Sequence, residues 1–385
     1  MLDTIEKLFL KNFAERDELG ASISVWEDGE EILSLHHGWR NRNEDRAWQA
    51  NTVTPVWSVT KGPSAIATLL ALHESGTALH SPVSDLWPEL KAARENKLTF
   101  AQLLSHQSGL PALSEENRSH ILAYQEVIAA LEKQQPYWTP GKGHGYHPRT
   151  IGFLLDEVVR RLTGGTSLGH FWNDKIATPN RIDFRIGDLP AEMVGRIATV
   201  YPPKSIKPSE EELPFFRSLA DKDSLATAIF ASPGGMRAPS DINQLDYLQA
   251  GLPAVGGVGS ASGLAKFYQI LAQRGQVDGV QVLPKPVIDA AFTLQTSGDD
   301  HTFLMPTAFT AGFMRDPISS DGQKQRRHFG LSHRAIGQPG AGGSHAFADP
   351  ETGLSFAYVM NQMEAGILPN RKSLDLIDAI YEELE

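Results

Sequence analysis

Cysteine is absent from all 385 residues, which removes disulfides, thiolate nucleophiles and cysteine-bound metals together. Absent too is any run approaching the roughly 20 apolar residues that a membrane-spanning helix needs. Asp3 and Glu6 interrupt apolar residues set at helical spacing over residues 1–10, so this stretch reads as an amphipathic first helix rather than a signal peptide, and a cytoplasmic location is expected. Positive charge is scarce: 35 Lys and Arg against 46 Asp and Glu give a formal net charge of −11. That balance argues against nucleic acid or an anionic membrane surface as a partner, and disfavours polyanionic substrates. Low-complexity tracts are missing. The 13 histidines contain no His-Glu-x-x-His or similar metal motif, so His36-His37, and His144 with His147, read as surface or loop residues rather than ligands.

What remains is 41% hydrophobic and 21% charged, a composition for a compact protein with a sizeable core. The chain is long enough for one large domain or two. Alternating runs at 21–26 and 31–35 flank Asp28-Gly29, a strong hairpin signal. A polar loop over 39–53 leads to an apolar run at 65–72 that reads as a buried helix. Helical patterns follow at 98–104, with Thr99 as a cap, at 118–132 and at 150–163. Between 165 and 250 prolines and mixed charge dominate, and 207–214 reads as surface loop. A helix at 262–273, strand-like runs at 308–315, 344–347 and 354–360, and a helix at 369–384 complete the pattern. Strands thus lie at both ends of the chain and helices in the middle. The expected fold is α+β: an antiparallel sheet flanked by helices and built from residues 1–80 plus 255–385, interrupted by a mostly helical insert over 81–254.

Three stretches carry chemistry. Ser58-Val59-Thr60-Lys61 opens the buried helix; at three residues' spacing the two side chains share a face, with the serine at the positive helix end. A serine hydroxyl needs a base within reach, and lysine serves only where burial or cationic neighbours keep it neutral. The structural alternative is an N-cap serine followed by a solvated lysine. The second stretch is His144-Gly145-Tyr146-His147-Pro148, a tyrosine on a stiff loop. It either plugs the end of the next helix or, with a pKa lowered from roughly 10 by nearby ammonium groups, shuttles a proton. The third, Gly337-Gln338-Pro339-Gly340-Ala341-Gly342-Gly343-Ser344, is either a tight turn or a place where backbone approaches a substrate closely and offers an N–H to an oxyanion.

In that order the three stretches resemble the serine β-lactamase and penicillin-binding-protein superfamily, and look most similar to its class C-like esterase branch, the family VIII carboxylesterases. Ser105-His106-Gln107-Ser108-Gly109-Leu110-Pro111 and the strand through Asn361 add to the likeness, which runs from about residue 20 to 361. The resemblance implies that Ser58 is acylated, that Lys61 takes its proton and that Tyr146 relays protons. It also implies an oxyanion hole from the N–H groups of Ser58 and Ala341, with neither metal nor organic cofactor. His147, Gln338, Gly340 and Gly342 fall where substrate contacts are expected.

Two departures from the family pattern bear on the substrate. Tyr-x-Asn is Tyr146-His147-Pro148 here, and Lys-Thr-Gly is Gln338-Pro339-Gly340, so the groups that would hold a lactam amide and carboxylate are missing. The leading expectation is therefore hydrolysis of small carboxylic esters. A β-lactamase, D-aminopeptidase or acyltransferase using the same residues, and a non-catalytic sensor or scaffold, are the alternatives. Gly165-Thr166-Ser167-Leu168-Gly169 also matches a Gly-x-Ser-x-Gly elbow, with His106 and Asp85 as conceivable partners. An elbow, however, follows a strand and precedes its acid and histidine in the chain, whereas this one follows a helix and comes after both.

Overall fold

The computed structural model describes residues 2–43 and 45–384. An eight-stranded antiparallel sheet runs in the order Glu30–Gly38, Gly20–Glu27, Leu354–Met360, His345–Asp349, Ile336–Pro339, Met314–Arg315, Pro306–Thr310, Leu294–Asp299. The hairpin at its start turns where expected. Asp28 and Gly29 both have positive φ, +47° and +94°, and a two-residue loop of that hand matches the twist of the strands it joins. The N-terminal strand pairs directly with Leu354–Met360, Ala21 opposite Met360 and Glu27 opposite Leu354.

Every residue of Leu354–Met360 is buried, because helices cover both faces of the sheet. Ser355 Oγ donates to the Ala265 carbonyl at 2.8 Å, placing the helix Ala261–Ala272 on one side. Tyr358 points the opposite way along the pleat, to Phe9 of the helix Leu2–Glu15, which packs beside the closing helix Arg371–Leu384. A second, three-stranded sheet joins Thr54–Pro55, Gly257–Gly259 and Phe184–Ile186. It delivers the chain to Ser58. Among the described residues no helix is long and apolar enough to cross a membrane.

Several elements differ from the sequence reading. The helix expected over 118–132 is Tyr124–Lys133, because Ile121 N–H donates to Gly234 O and Gly234 N–H to Ser119 O, which holds the preceding residues extended. The run 308–315 is two strands, since Gly312 at φ +99° reverses the chain between them. Part of the supposed loop 207–214 begins a helix, Leu213–Ala220. The edge strand Leu294–Asp299 gave no signal in the sequence.

Candidate active site

Ser58 lies in a 3-10 turn, Trp57–Thr60, which runs directly into the α-helix Lys61–Glu74. The α-helix therefore starts three residues later than a helix beginning at Ser58 would. The tighter turn suits the pair better, because side chains three apart eclipse one another in 3-10 geometry. Trp57 is held at φ +52°, a left-handed conformation costly for a bulky residue. Thr60 secures it: its Oγ1 donates to Trp57 O at 2.5 Å and accepts from Gly257 N–H at 3.0 Å. In a turn whose neighbours are all buried, Ser58 alone is partly exposed.

Lys61 is 3% exposed. Its Nζ sits 2.8 Å from Pro148 O, 2.9 Å from Ala254 O and 3.1 Å from Ser58 Oγ. Burial pushes its pKa well below the ordinary lysine value, and among the described residues no carboxylate is paired with it to hold the proton. In its neutral form the amine has two N–H bonds and one lone pair; with the two carbonyls taking the N–H bonds, the lone pair is free to face Ser58 Oγ.

Tyr146 lies on the other side, its ring centroid 4.8 Å from Lys61 Nζ. Its phenol departs from the sequence reading. Burial raises the pKa, a hydrogen bond to Ser58 only partly opposes this, and the charge of Asp300 adds to the rise. The expected lowering needs a nearby ammonium, whereas burial disfavours the charged form of Lys61 as well. Tyr146 therefore enters the site as an intact phenol.

The loop carrying Tyr146 is fixed through three successive backbone N–H groups. Gly145 N–H donates to His106 O at 3.2 Å, Tyr146 N–H to both oxygens of Asp300 at 3.1 and 3.2 Å, and His147 N–H to His106 Nδ1 at 3.1 Å. Asp300 was assigned no role from sequence, and His106 only that of a conceivable partner for Ser167. His106, at φ +62°, also stood out through a family-like segment. Asp300 lies among Gly298, Asp299 and His301, a run that reads as polar loop.

His147, expected to touch substrate, does not face the cleft. Its ring is fully buried, Nδ1 lies 2.6 Å from Gly145 O and Nε2 2.8 Å from Ser108 Oγ, so neither nitrogen is left for a ligand. Burial drives its pKa down to about 3, which keeps it neutral. His144 is buried as well, between Thr296 and Thr307, so it lies on a loop but not at the surface; His36 and His37 are exposed.

The strand Ile336–Pro339 ends beside the Ser58 turn. A Cβ on Gly340 would stand 2.3 Å from Val56 O, so only glycine allows this approach. Ala341 follows, partly exposed, and among the described residues its N–H donates to no backbone carbonyl. The Ser58 N–H, at the start of its turn, belongs to the group that a helix leaves without an internal partner. Gln338 is fully buried, with its amide nitrogen on Gly312 O at 3.0 Å. Gly342, at φ +89°, packs against Met363. Both are buried. Ser167 caps the helix Leu168–Trp172 by accepting from His170 N–H, while His106 packs against Tyr146, His147 and Phe309. No triad forms there.

The chain matches the family model described as Beta-lactamase over residues 5–376. It belongs to the beta-lactamase family. It is 27% identical over 361 residues to Esterase/beta-lactamase LipL of Mycobacterium tuberculosis (strain ATCC 25618 / H37Rv), covering 93% of this chain and 81% of that protein. Among solved structures it is similar to a novel penicillin-binding protein homolog from Caulobacter crescentus, at 30% identity and a TM-score of 0.85, covering 99% of this chain and 97% of the other. A family VIII carboxylesterase matches at 28% identity and a TM-score of 0.83, with 99% and 97% covered. The protein is thus a hydrolase of the serine β-lactamase superfamily, and the antiparallel sheet flanked by helices expected from its sequence is present.

Proposed function

We propose that this beta-lactamase-family hydrolase cleaves small neutral carboxylic esters through an acyl-enzyme on Ser58. The observation that carries the reading is the buried Lys61, whose Nζ lies within hydrogen-bond distance of two backbone carbonyls and of Ser58 Oγ and whose charged form burial disfavours. As Oγ attacks the ester carbonyl its proton passes to Nζ, and the tetrahedral oxyanion accepts the N–H groups of Ser58 and Ala341. Collapse breaks the bond to the alcohol oxygen. That oxygen takes the Tyr146 phenol proton, which Lys61 replaces from its ammonium. Water then attacks the acyl carbon and loses its proton along the same path, and the acid leaves with Ser58 restored. Each oxyanion donor of this kind contributes roughly 2.7–4 kcal/mol to the transition state.

Esters are favoured over lactams because no cation faces the cleft from the third motif. Gln338 is uncharged and buried, and Pro339 has neither hydroxyl nor N–H, so the charge-assisted contact that a carboxylate would receive is missing. Arg149, which could have substituted, spends its guanidinium on the carbonyls of Pro233 and Met236 at 2.9 and 3.0 Å. Arg334 lies over the ring of Phe292.

A fluorophosphonate should place one adduct on Ser58, none on Ser167, and none on a Ser58→Ala variant. On one preparation kcat/KM for p-nitrophenyl butyrate should exceed that for nitrocefin. Labelling that persists in Ser58→Ala would remove the nucleophile assignment, and a nitrocefin value at or above the ester's would turn the reading to a β-lactamase.

A further inference from the structure

Asp300 is a carboxylate with 1% exposure and no cation bonded to it among the described residues. Four donors satisfy it instead: Tyr146 N–H, Thr302 N–H at 2.7 Å, Phe303 N–H at 2.9 Å and Thr307 Oγ1 at 2.9 Å. Two of the four belong to residues whose rings stack on each other, Tyr146 and Phe303, with centroids 4.7 Å apart and planes 24° apart. One side chain therefore fixes the backbone origin of the phenol and of the ring that backs it. Because Thr307 donates to Asp300, it accepts from His144 Nε2 at 2.9 Å, and the other ring nitrogen lies 2.9 Å from Thr296 Oγ1. The chain of bonds thus runs from the edge strand Leu294–Asp299 to the tyrosine.

A buried carboxylate held only by neutral donors costs desolvation that an apolar residue would not. Three of its bonds go to backbone N–H groups of two separate loops, so it serves as a joint between them. We propose that Asp300 is a positioning residue for the hydrolytic reaction, holding the Tyr146 phenol against Ser58 and Lys61 through the Tyr146 and Phe303 N–H groups. This rests on the reading of Tyr146 as the proton relay. Asp300 itself touches no reacting atom.

The experiment is a double-mutant cycle in kcat and KM for p-nitrophenyl butyrate. A misplacement of about 1 Å in a reacting group costs on the order of 100-fold. Asp300→Asn, which replaces one of the two acceptor oxygens with an N–H donor facing the donors already there, should accordingly lower kcat by about 30- to 100-fold with KM little changed. In a Tyr146→Phe background the same substitution should change kcat less than about 3-fold, because the hydroxyl it positions is already gone. Should Asp300→Asn fail to fold, Thr307→Val removes one bond to the carboxylate and should show the same pattern at about 5-fold. Equal losses in both backgrounds would overturn the positioning role and leave Asp300 as a fold element. A Tyr146→Phe variant with undiminished kcat would instead remove the relay itself, and the two failures are told apart by that single mutant.

Discussion

A lysine kept neutral inside a folded protein lowers stability wherever the unfolded chain would hold its proton. For Lys61 the folded pKa lies well below the 10.5 of a free side chain, so between those values the unfolded state binds more protons, and stability rises with pH until the difference vanishes near 10.5. Lys61→Met should therefore raise the thermal midpoint at pH 7, with the gain fading toward pH 10.5, followed by calorimetry across that range. The same variant should lose kcat by roughly 100- to 10,000-fold. Tyr146→Phe should lose a similar factor, and the double variant little more, since the two move one proton between them. In the wild type kcat/KM should climb with pH as Lys61 sheds its proton, with its inflection below the ordinary lysine range. The raised phenol adds no alkaline fall before pH 10. The Ser58 and Lys61 pair could be read from sequence because both lie in one turn. The shift of Tyr146 could not, because it is set by Phe303, Phe309 and Asp300, more than 150 residues away in the chain.

The helix Lys61–Glu74 is held from behind by the hairpin turn that carries Gly312 and Phe313. A Cβ on Gly312 would come within 2.2 Å of Ala65 Cβ, and Gly312 sits at φ +99°, so the strands Pro306–Thr310 and Met314–Arg315 turn where only glycine fits. Gly312→Ala should cost about 1–3 kcal/mol by overpacking and further through backbone strain. Adding Ala65→Gly should recover part of the overpacking loss, less about 1 kcal/mol of helix propensity. Urea midpoints of the three variants test this; no recovery in the double would mean that the contact is not what disfavours alanine. Elements with a strong period, such as Thr150–Thr163 and Leu354–Met360, stand where the sequence put them. Leu294–Asp299 was missed because Gly298 and Asp299 argue against a strand, and it is kept as one only by pairing with Pro306–Thr310.

At the scale of the molecule the closing helix Arg371–Leu384 is joined by a buried ion pair to the loop that follows the first helix. Lys372 Nζ lies 3.1 Å from Glu18 Oε2, at 1% and 0% side-chain exposure, and Tyr358 O–H donates to the same oxygen at 2.7 Å. Removing the lysine alone strands a carboxylate whose pKa burial already raises, and Lys372→Met should destabilise by about 3–5 kcal/mol. Glu18→Gln with Lys372→Met should cost less than Lys372→Met alone, read from denaturant unfolding; a double variant worse than the single would show that Glu18 acts independently of the lysine. That both ends of the chain would meet in one sheet was readable from the placement of strand patterns. Which strand lies beside which was not, since register across such a separation leaves no local trace.

The pairing of Gly20–Glu27 with Leu354–Met360 also sets a clock. On a ribosome the N-terminal hairpin emerges early, while its partner strand follows roughly 320 residues later, about 15 to 60 s at ordinary rates of synthesis. Throughout that interval Ala21, Ile23 and Val25, each fully buried in the finished protein, sit on a strand whose inner edge is open. Such an edge recruits other strands. Nascent and C-terminally truncated chains are thus the species from which aggregation starts, and a holdase that covers residues 20–38 should raise the yield of folded protein more than any change at the active site.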